Sequence, residues 1–314
     1  MTADTRLLRI SREVFVRTLA PSAADALEPW VIDRIVSLLD EVEVRAGDRL
    51  FSAGELPEAV FLFREGQVEL VREGFAPWVY EGRWVVGGFE VIGDRPHQRT
   101  ARALTDLQVM KLRGDGWLEL IEDSFELARG LLLNMARMVS VLDRRLGAHA
   151  EPGVARVLPA LRPHPLSLIE RLAAITDMTM FRGATVQTLA DVAALVEEAV
   201  FLGGQTMLEA GAPRDRGFLV LEGEVEAALR GEDVVRRFGP GALAAGAAAF
   251  GEHGKDWALR ATARTRTLVF PIEAWMDLME EHFDLLRAAL LQLGVERVRI
   301  LEELGRAEGT VFLR

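Results

Sequence analysis

The sequence has no cysteine, which excludes disulfides and thiolate nucleophiles. Lysine is reduced to Lys111 and Lys255, and tyrosine to Tyr80. Histidine occurs at His97, His149, His164, His253 and His282, no two at the spacing of a metal-ligand motif. There is no Gly-x-Ser-x-Gly elbow and no P-loop. Catalysis is therefore not expected. The net charge is −11 and no block of like charges occurs, so the basic face that nucleic acid or an anionic membrane requires is missing. No apolar run approaches the ~18 residues of a membrane span. Residues Met1 to Ile10 are charged and lack the apolar core of a secretory leader. A soluble, cytoplasmic protein without nucleic-acid or membrane partners is expected.

What is present is a repeat. Gly47, Leu50, Gly54, Phe61, Leu62, Glu65, Gly66, Val68 and Glu69 return 157 residues later as Gly204, Met207, Gly211, Phe218, Leu219, Glu222, Gly223, Val225 and Glu226. After one added residue, Trp117, Leu120, Glu122, Phe125, Leu127 and Arg129 return at a spacing of 158 as Trp275, Leu278, Glu280, Phe283, Leu285 and Arg287. A period this long is a duplicated domain, since solenoid units run at roughly 20–50 residues. With 314 residues, half of them hydrophobic, each copy can bury a core of its own.

Within a copy the hydrophobic period changes. An amphipathic stretch over 8–20 precedes a helix over 29–40. Short strands follow around Val42–Val44, Val60–Leu62, Val68–Leu70, Trp84–Val86 and Leu107–Leu112, separated by turn glycines. From Trp117 the pattern is helical again to about Leu146, as one or two closing helices, with Asp115 the expected N-cap. Residues 149–165, with Pro152, Pro159, Pro163 and Pro165, read as a linker between domains at 1–148 and 166–314. The second copy restarts with helices over 166–175 and 185–199. Its strands are expected at Val200–Leu202, Phe218–Leu221, Val225–Leu229, Val234–Phe238 and Thr267–Phe270. A final helix is expected from Glu273 towards Leu304, with Pro271 suited to its first turn. Arg144 and Arg145 read as a solvated helix end. The fold class is α+β, mainly β: two tandem β-rolls of jelly-roll type, each flanked by N- and C-terminal helices.

Several segments carry a resemblance: Arg45 to Glu55, Val60 to Val68 and Thr100 to Ala103, with Gly204 to Ala212, Phe218 to Val225, Phe238 to Gly241 and Leu259 to Ala261 as counterparts. In this combination the chain resembles tandem cyclic nucleotide-binding domains, of the catabolite activator and protein kinase A regulatory subunit type. The resemblance implies a phosphate cassette, a short helix whose amides meet a cyclic phosphate. A glutamate there binds the ribose, and an arginine nine residues on pairs with the phosphate.

Counted without gaps from Ala103, the glutamate position holds Gly88 and the arginine position His97. Counted from Ala261, the second copy has Gly246 and Lys255 there. Lysine can attract a phosphate as a point charge but lacks the arginine fork. Both cassettes therefore read as degenerate. The string Phe250-Gly251-Glu252 falls six residues late in this register. If two residues are deleted within the first cassette, Glu90 becomes the glutamate and Arg99 replaces His97 from the same strand face. The candidate ligand residues are thus Gly87, Gly88, Glu90, His97, Arg99, Thr100, Gly246 and Lys255. The plainer expectation is an exposed loop for His97 and ordinary surface charges for Glu90 and Arg99. Trp257 is expected to fill the second pocket. No cofactor is certain, and a cyclic nucleotide is the one the resemblance allows.

A DNA-binding module is not expected, since about ten residues follow Leu304. The functional expectation is a non-catalytic regulator acting through protein contacts; the alternative is a cyclic nucleotide sensor with one working site in the first domain. Leu286, Leu290, Leu291, Val295, Val298 and Leu301 recur at helical spacing and offer a homodimer or partner face, or packing on the chain's own roll.

Overall fold

The computed structural model describes residues 21, 27–147, 165–176, 178–244, 250 and 256–314. The amphipathic stretch over 8–20 and nearly all of the proline-rich 149–165 segment lie outside them. The chain divides into two compact units, residues 1–134 with 297–314, and residues 135–296.

The first unit opens with α1 (Pro29–Leu38), followed by β1 (Leu39–Val44), β2 (Arg49–Phe51), β3 (Ala59–Phe63), β4 (Gln67–Val71), β5 (Trp78–Glu81) and β6 (Trp84–Val86). The short helix α2 (Gly88–Gly93) leads to β7 (Thr100–Ala103), β8 (Leu107–Arg113), α3 (Gly114–Asp123) and α4 (Phe125–Leu146), which continues into the second unit. One sheet has the order β1-β8-β3-β6; the other contains β5-β4-β7-β2. The pattern follows the sequence: β4 alternates buried and half-buried residues, whereas the Ala-Val-Phe-Leu-Phe run of β3 is buried on both faces.

The second unit contains α5 (Leu168–Thr176), a 3-10 turn at Thr179–Phe181, α6 (Val186–Leu195), β9 (Glu197–Phe201), β10 (Thr206–Leu208), β11 (Arg216–Glu222), β12 (Val225–Leu229), β13 (Val235–Phe238), β14 (Trp257–Ala261), β15 (Thr265–Pro271), α7 (Ile272–Glu281) and the start of α8 (Phe283–Glu308). Its sheets are β10-β14-β12-β13 and β11-β15-β9. The last turns of α8 and β16 (Val311–Leu313) belong to the first unit, where β16 pairs in parallel with β5, Val311 opposite Trp78. The other strand pairs are antiparallel. The fold is the expected strand-rich α+β architecture of two β-rolls, and no sheet closes into a barrel among the described residues.

Several boundaries differ from expectation, and four of the differences have a visible cause. The helix over 117–146 is two helices, broken at Ser124, whose backbone is extended at φ −128° and whose Oγ accepts the Leu127 amide at 3.4 Å. The final helix breaks in the same way at His282, φ −128° and 158 residues on. Asp115 does not cap α3: the helix starts at Gly114, and Asp115, within the first turn, accepts from the Gly116 amide at 2.7 Å. The helix expected over 185–199 ends at Leu195, because Val196 turns extended and Glu197 starts the strand that pairs with β15. Thr185 caps that helix by accepting the Thr188 amide at 3.2 Å.

Candidate functional site

In the first unit the cassette runs from Gly87 to β7. Gly87 opens α2 with φ +87°, and a Cβ there would stand 3.0 Å from the Ala59 carbonyl oxygen, so the turn requires glycine. A Cβ on Gly88 would meet Val60 at 3.6 Å and the Trp117 Nε1 at 3.8 Å, pointing it at the roll and at α3. Two α2 residues, Val91 and Ile92, anchor the helix in the core.

His97 is not the exposed loop residue expected. It is 3% exposed, its ring stacked on Phe51 with centroids 3.8 Å apart. Its main chain is fixed on both sides, donating to the Glu55 carbonyl at 2.9 Å and accepting from the Gly54 amide at 2.8 Å. Its Nδ1 stands 4.0 Å from Glu90 Oε2 and has no hydrogen-bond partner. Burial pushes the imidazole pKa down, with Glu90 and Glu55 pulling the other way.

Arg99 is not a surface charge either; it is 5% exposed. Its guanidinium lies 3.6 Å over the Trp78 ring and donates to the carbonyls of Ala76 at 3.0 Å and Leu70 at 3.4 Å. Arg99 Nη2 stands 3.9 Å from Glu302, and Arg72, 4.1 Å over the Phe75 ring, meets the same carboxylate at 3.4 Å. Burial pushes the Arg99 pKa down to about 10, against the pull of Glu302, so the group stays cationic at neutral pH. Glu90, partly exposed, thus faces His97, while Arg99 faces Trp78 and Glu302. Thr100 ties β7 to the turn after β2, its Oγ1 accepting the Ala53 amide at 3.0 Å.

Sequence reasoning missed Phe51, Trp78, Arg297 and Glu302. Phe51 could have been suspected from its place in the repeated opening turn. Glu302 carries no local signal, since the chain brings it to Arg99 from about 200 residues away.

In the second unit Gly246 and Lys255 lie outside the described residues, as do Gly251 and Glu252. Trp257, 4% exposed, packs in the roll's core with Phe218, Val220, Val225, Leu229 and Leu259. Asp256 pairs with Arg144 at 2.6 Å and with Arg230 at 3.4 Å. Arg144 is therefore an anchored helix end and not the solvated one expected. Arg214 donates to the Trp257 carbonyl, and burial pushes its pKa down to about 10. Among the described residues no cluster of His, Asp and Glu suits a metal, and no helix is long and apolar enough to cross a membrane.

The cyclic nucleotide-binding domain model matches residues 41–124 and 198–282, together more than half of the chain. A cAMP-dependent protein kinase regulatory subunit from Emericella nidulans is 29% identical over 98 residues, 31% of this chain and 24% of that protein. The match thus spans about a quarter of that relative's length. A cAMP-bound PfPKA-R structure is 15% identical, with a TM-score of 0.38, covering 97% of this chain and 93% of the other. The regulatory subunit of a cAMP-independent protein kinase A from Trypanosoma brucei is 14% identical, with a TM-score of 0.36, covering 98% and 94%.

Proposed function

This chain belongs to the cyclic nucleotide-binding domain family, and on that premise we propose that it is a non-catalytic regulatory protein whose cassettes do not hold a cyclic nucleotide in the family's way and which acts through contacts with other proteins. The observation that carries this is Arg99, whose guanidinium is spent on Trp78 and two backbone carbonyls. His97, in the arginine's place, is buried and biased towards the neutral form, so it offers no permanent charge or bidentate fork. In the second unit Gly246 would offer no carboxylate to a ribose, and Lys255 only a point charge.

The partner surface on this reading is the edge of α8 left uncovered, for a protein partner or a second copy. Leu286, Leu290 and Leu301 are buried within the chain, whereas Val295 is 51% exposed and Leu291 and Val298 are half-buried. The setting would be cytoplasmic, without nucleic acid or membrane.

Calorimetric titration with cyclic AMP, cyclic GMP and cyclic dinucleotides tests the reading. No saturable micromolar binding is expected; micromolar binding abolished by Arg99→Ala overturns it. A second reading, a sensor with one working site in the first unit, is favoured by the convergence of Glu90 with the unpartnered His97 Nδ1. In that case the same titration gives saturable binding that Glu90→Gln removes.

A further inference from the structure

Two arginines of the first unit, Arg72 and Arg99, converge on a single carboxylate, that of Glu302. The aromatic rings of Phe75 and Trp78 line the two guanidinium groups at 4.1 and 3.6 Å, with Arg99 also 5.8 Å from Phe75. Such faces strip water from the cations and strengthen whatever negative charge reaches them. The charge count is uneven: two cations meet one anion, and the buried Arg99 Nη2 has no hydrogen-bond partner. A guanidinium offers five donors, so this site can take more acceptor oxygens than one carboxylate 3.9 Å away provides.

The element that delivers Glu302 is firmly seated in the first unit. A Cβ on Gly305 would stand 2.7 Å from the Ala76 Cβ, so glycine is what lets α8 approach the β4–β5 turn this closely. The following β16 buries Val311 and Leu313 against the sheet through its pairing with β5. Earlier on α8, Arg297 donates to the Tyr80 hydroxyl, with its guanidinium 5.9 Å over the Phe89 ring of α2. The same segment therefore touches the cassette helix and the cation that precedes β7.

We propose that Glu302 is a built-in anion of the first unit, filling a cation site formed by Arg72 and Arg99 that would otherwise take a small external anion of the phosphate or carboxylate class. The inference rests on the reading that Arg99 is not reserved for a cyclic nucleotide, and it adds what Arg99 is used for. Glu302 occupies the site from within the chain, so that the α2–β7 region is held without a soluble ligand.

The test is thermal unfolding of the full chain in inorganic phosphate against chloride at matched ionic strength. Phosphate stabilises many proteins by exclusion from their surface, so the wild-type chain measures that background. Glu302→Gln should gain about 3 °C or more beyond the wild-type response, as expected for an anion that binds only the folded state. Adding Arg99→Met to Glu302→Gln should abolish the extra gain. A Glu302→Gln response no larger than that of wild type, or one that survives Arg99→Met, overturns the proposal. If Glu302→Gln does not fold, Gly305→Leu keeps the carboxylate but wedges α8 away from Ala76; it should show the same extra gain, and its failure to do so is equally decisive. Cyclic AMP binding by the wild-type chain would refute the functional reading instead, and is a separate measurement.

Discussion

Replacing Arg99 with methionine separates a structural arginine from one held ready for a ligand. The structure gives the guanidinium a stacked contact with Trp78 at 3.6 Å, hydrogen bonds to the Ala76 and Leu70 carbonyls, and proximity to Glu302. A desolvated cation–π contact contributes up to about 2 kcal/mol. Each hydrogen bond from a charged donor contributes about 1.5 kcal/mol or more, and each carbonyl left without its donor adds to the loss. Methionine recovers part of the packing of the arginine stem, so the net expectation is a destabilisation of about 2–4 kcal/mol. A ligand arginine has the opposite sign: without its ligand it is an uncompensated charge, and its removal is neutral or stabilising. With two units in the chain, the loss belongs to the one that contains Arg99. Hydrogen exchange at the amides of β4 and β7 reads the local loss directly. Protection within about 0.5 kcal/mol of wild type, or raised above it, would refute the structural role of Arg99.

Two further outcomes are open to measurement. Burial holds the His97 imidazole below its ordinary pKa of 6.5, so as pH falls the unfolded chain takes up its proton first. The stability this residue allows is therefore full above pH 6.5 and declines below it; His97→Phe should flatten the fall in melting temperature between pH 7 and 5.5 relative to wild type, and an unchanged fall would show that other groups cause it. Gly54 and Gly223 both have positive φ, but a Cβ at Gly54 meets open space while one at Gly223 would stand 2.5 Å from the Arg264 carbonyl oxygen. Gly54→Ala should cost about 1–2 kcal/mol from left-handed strain alone and Gly223→Ala roughly 3 kcal/mol or more once backbone overlap is added; equal losses in denaturant titration would contradict the packing described.

The elements legible from sequence were those whose signal is local. β6 at Trp84–Val86 and β12 at Val225–Leu229 have the bounds expected from their apolar runs and flanking turns. The helix breaks at Ser124 and His282 were not legible, because no glycine or proline marks them and the hydrophobic period runs through. β16 was unreadable for another reason: three residues make a strand only because β5 offers them an edge. The site failed on burial. Histidine and arginine in a polar stretch read as exposed, yet stacking on Phe51 and Trp78 draws both inside. Such stacks join residues about 20 to 45 positions apart, which no periodicity can show.

At a spacing of 158 the two copies differ at the residues of the site. Arg99 corresponds to Trp257 and Trp78 to Arg236, so cation and indole have traded places. On the closing helices, Arg144 corresponds to Glu302. In the first unit an arginine before β7 meets Glu302 of α8. In the second unit an acid before β14, Asp256, meets Arg144 of α4. Asp256 stands one position before the Trp257 that matches Arg99, so the two matched helix ends meet opposite charges from neighbouring positions. A position selected to bind phosphate would need a cation in both copies. A position that fixes a closing helix needs only complementarity, which either order of charges supplies. Exchange of charges with retained pairing is what the second requirement permits, and it assigns Arg99 and Asp256 to seating the ends of α8 and α4.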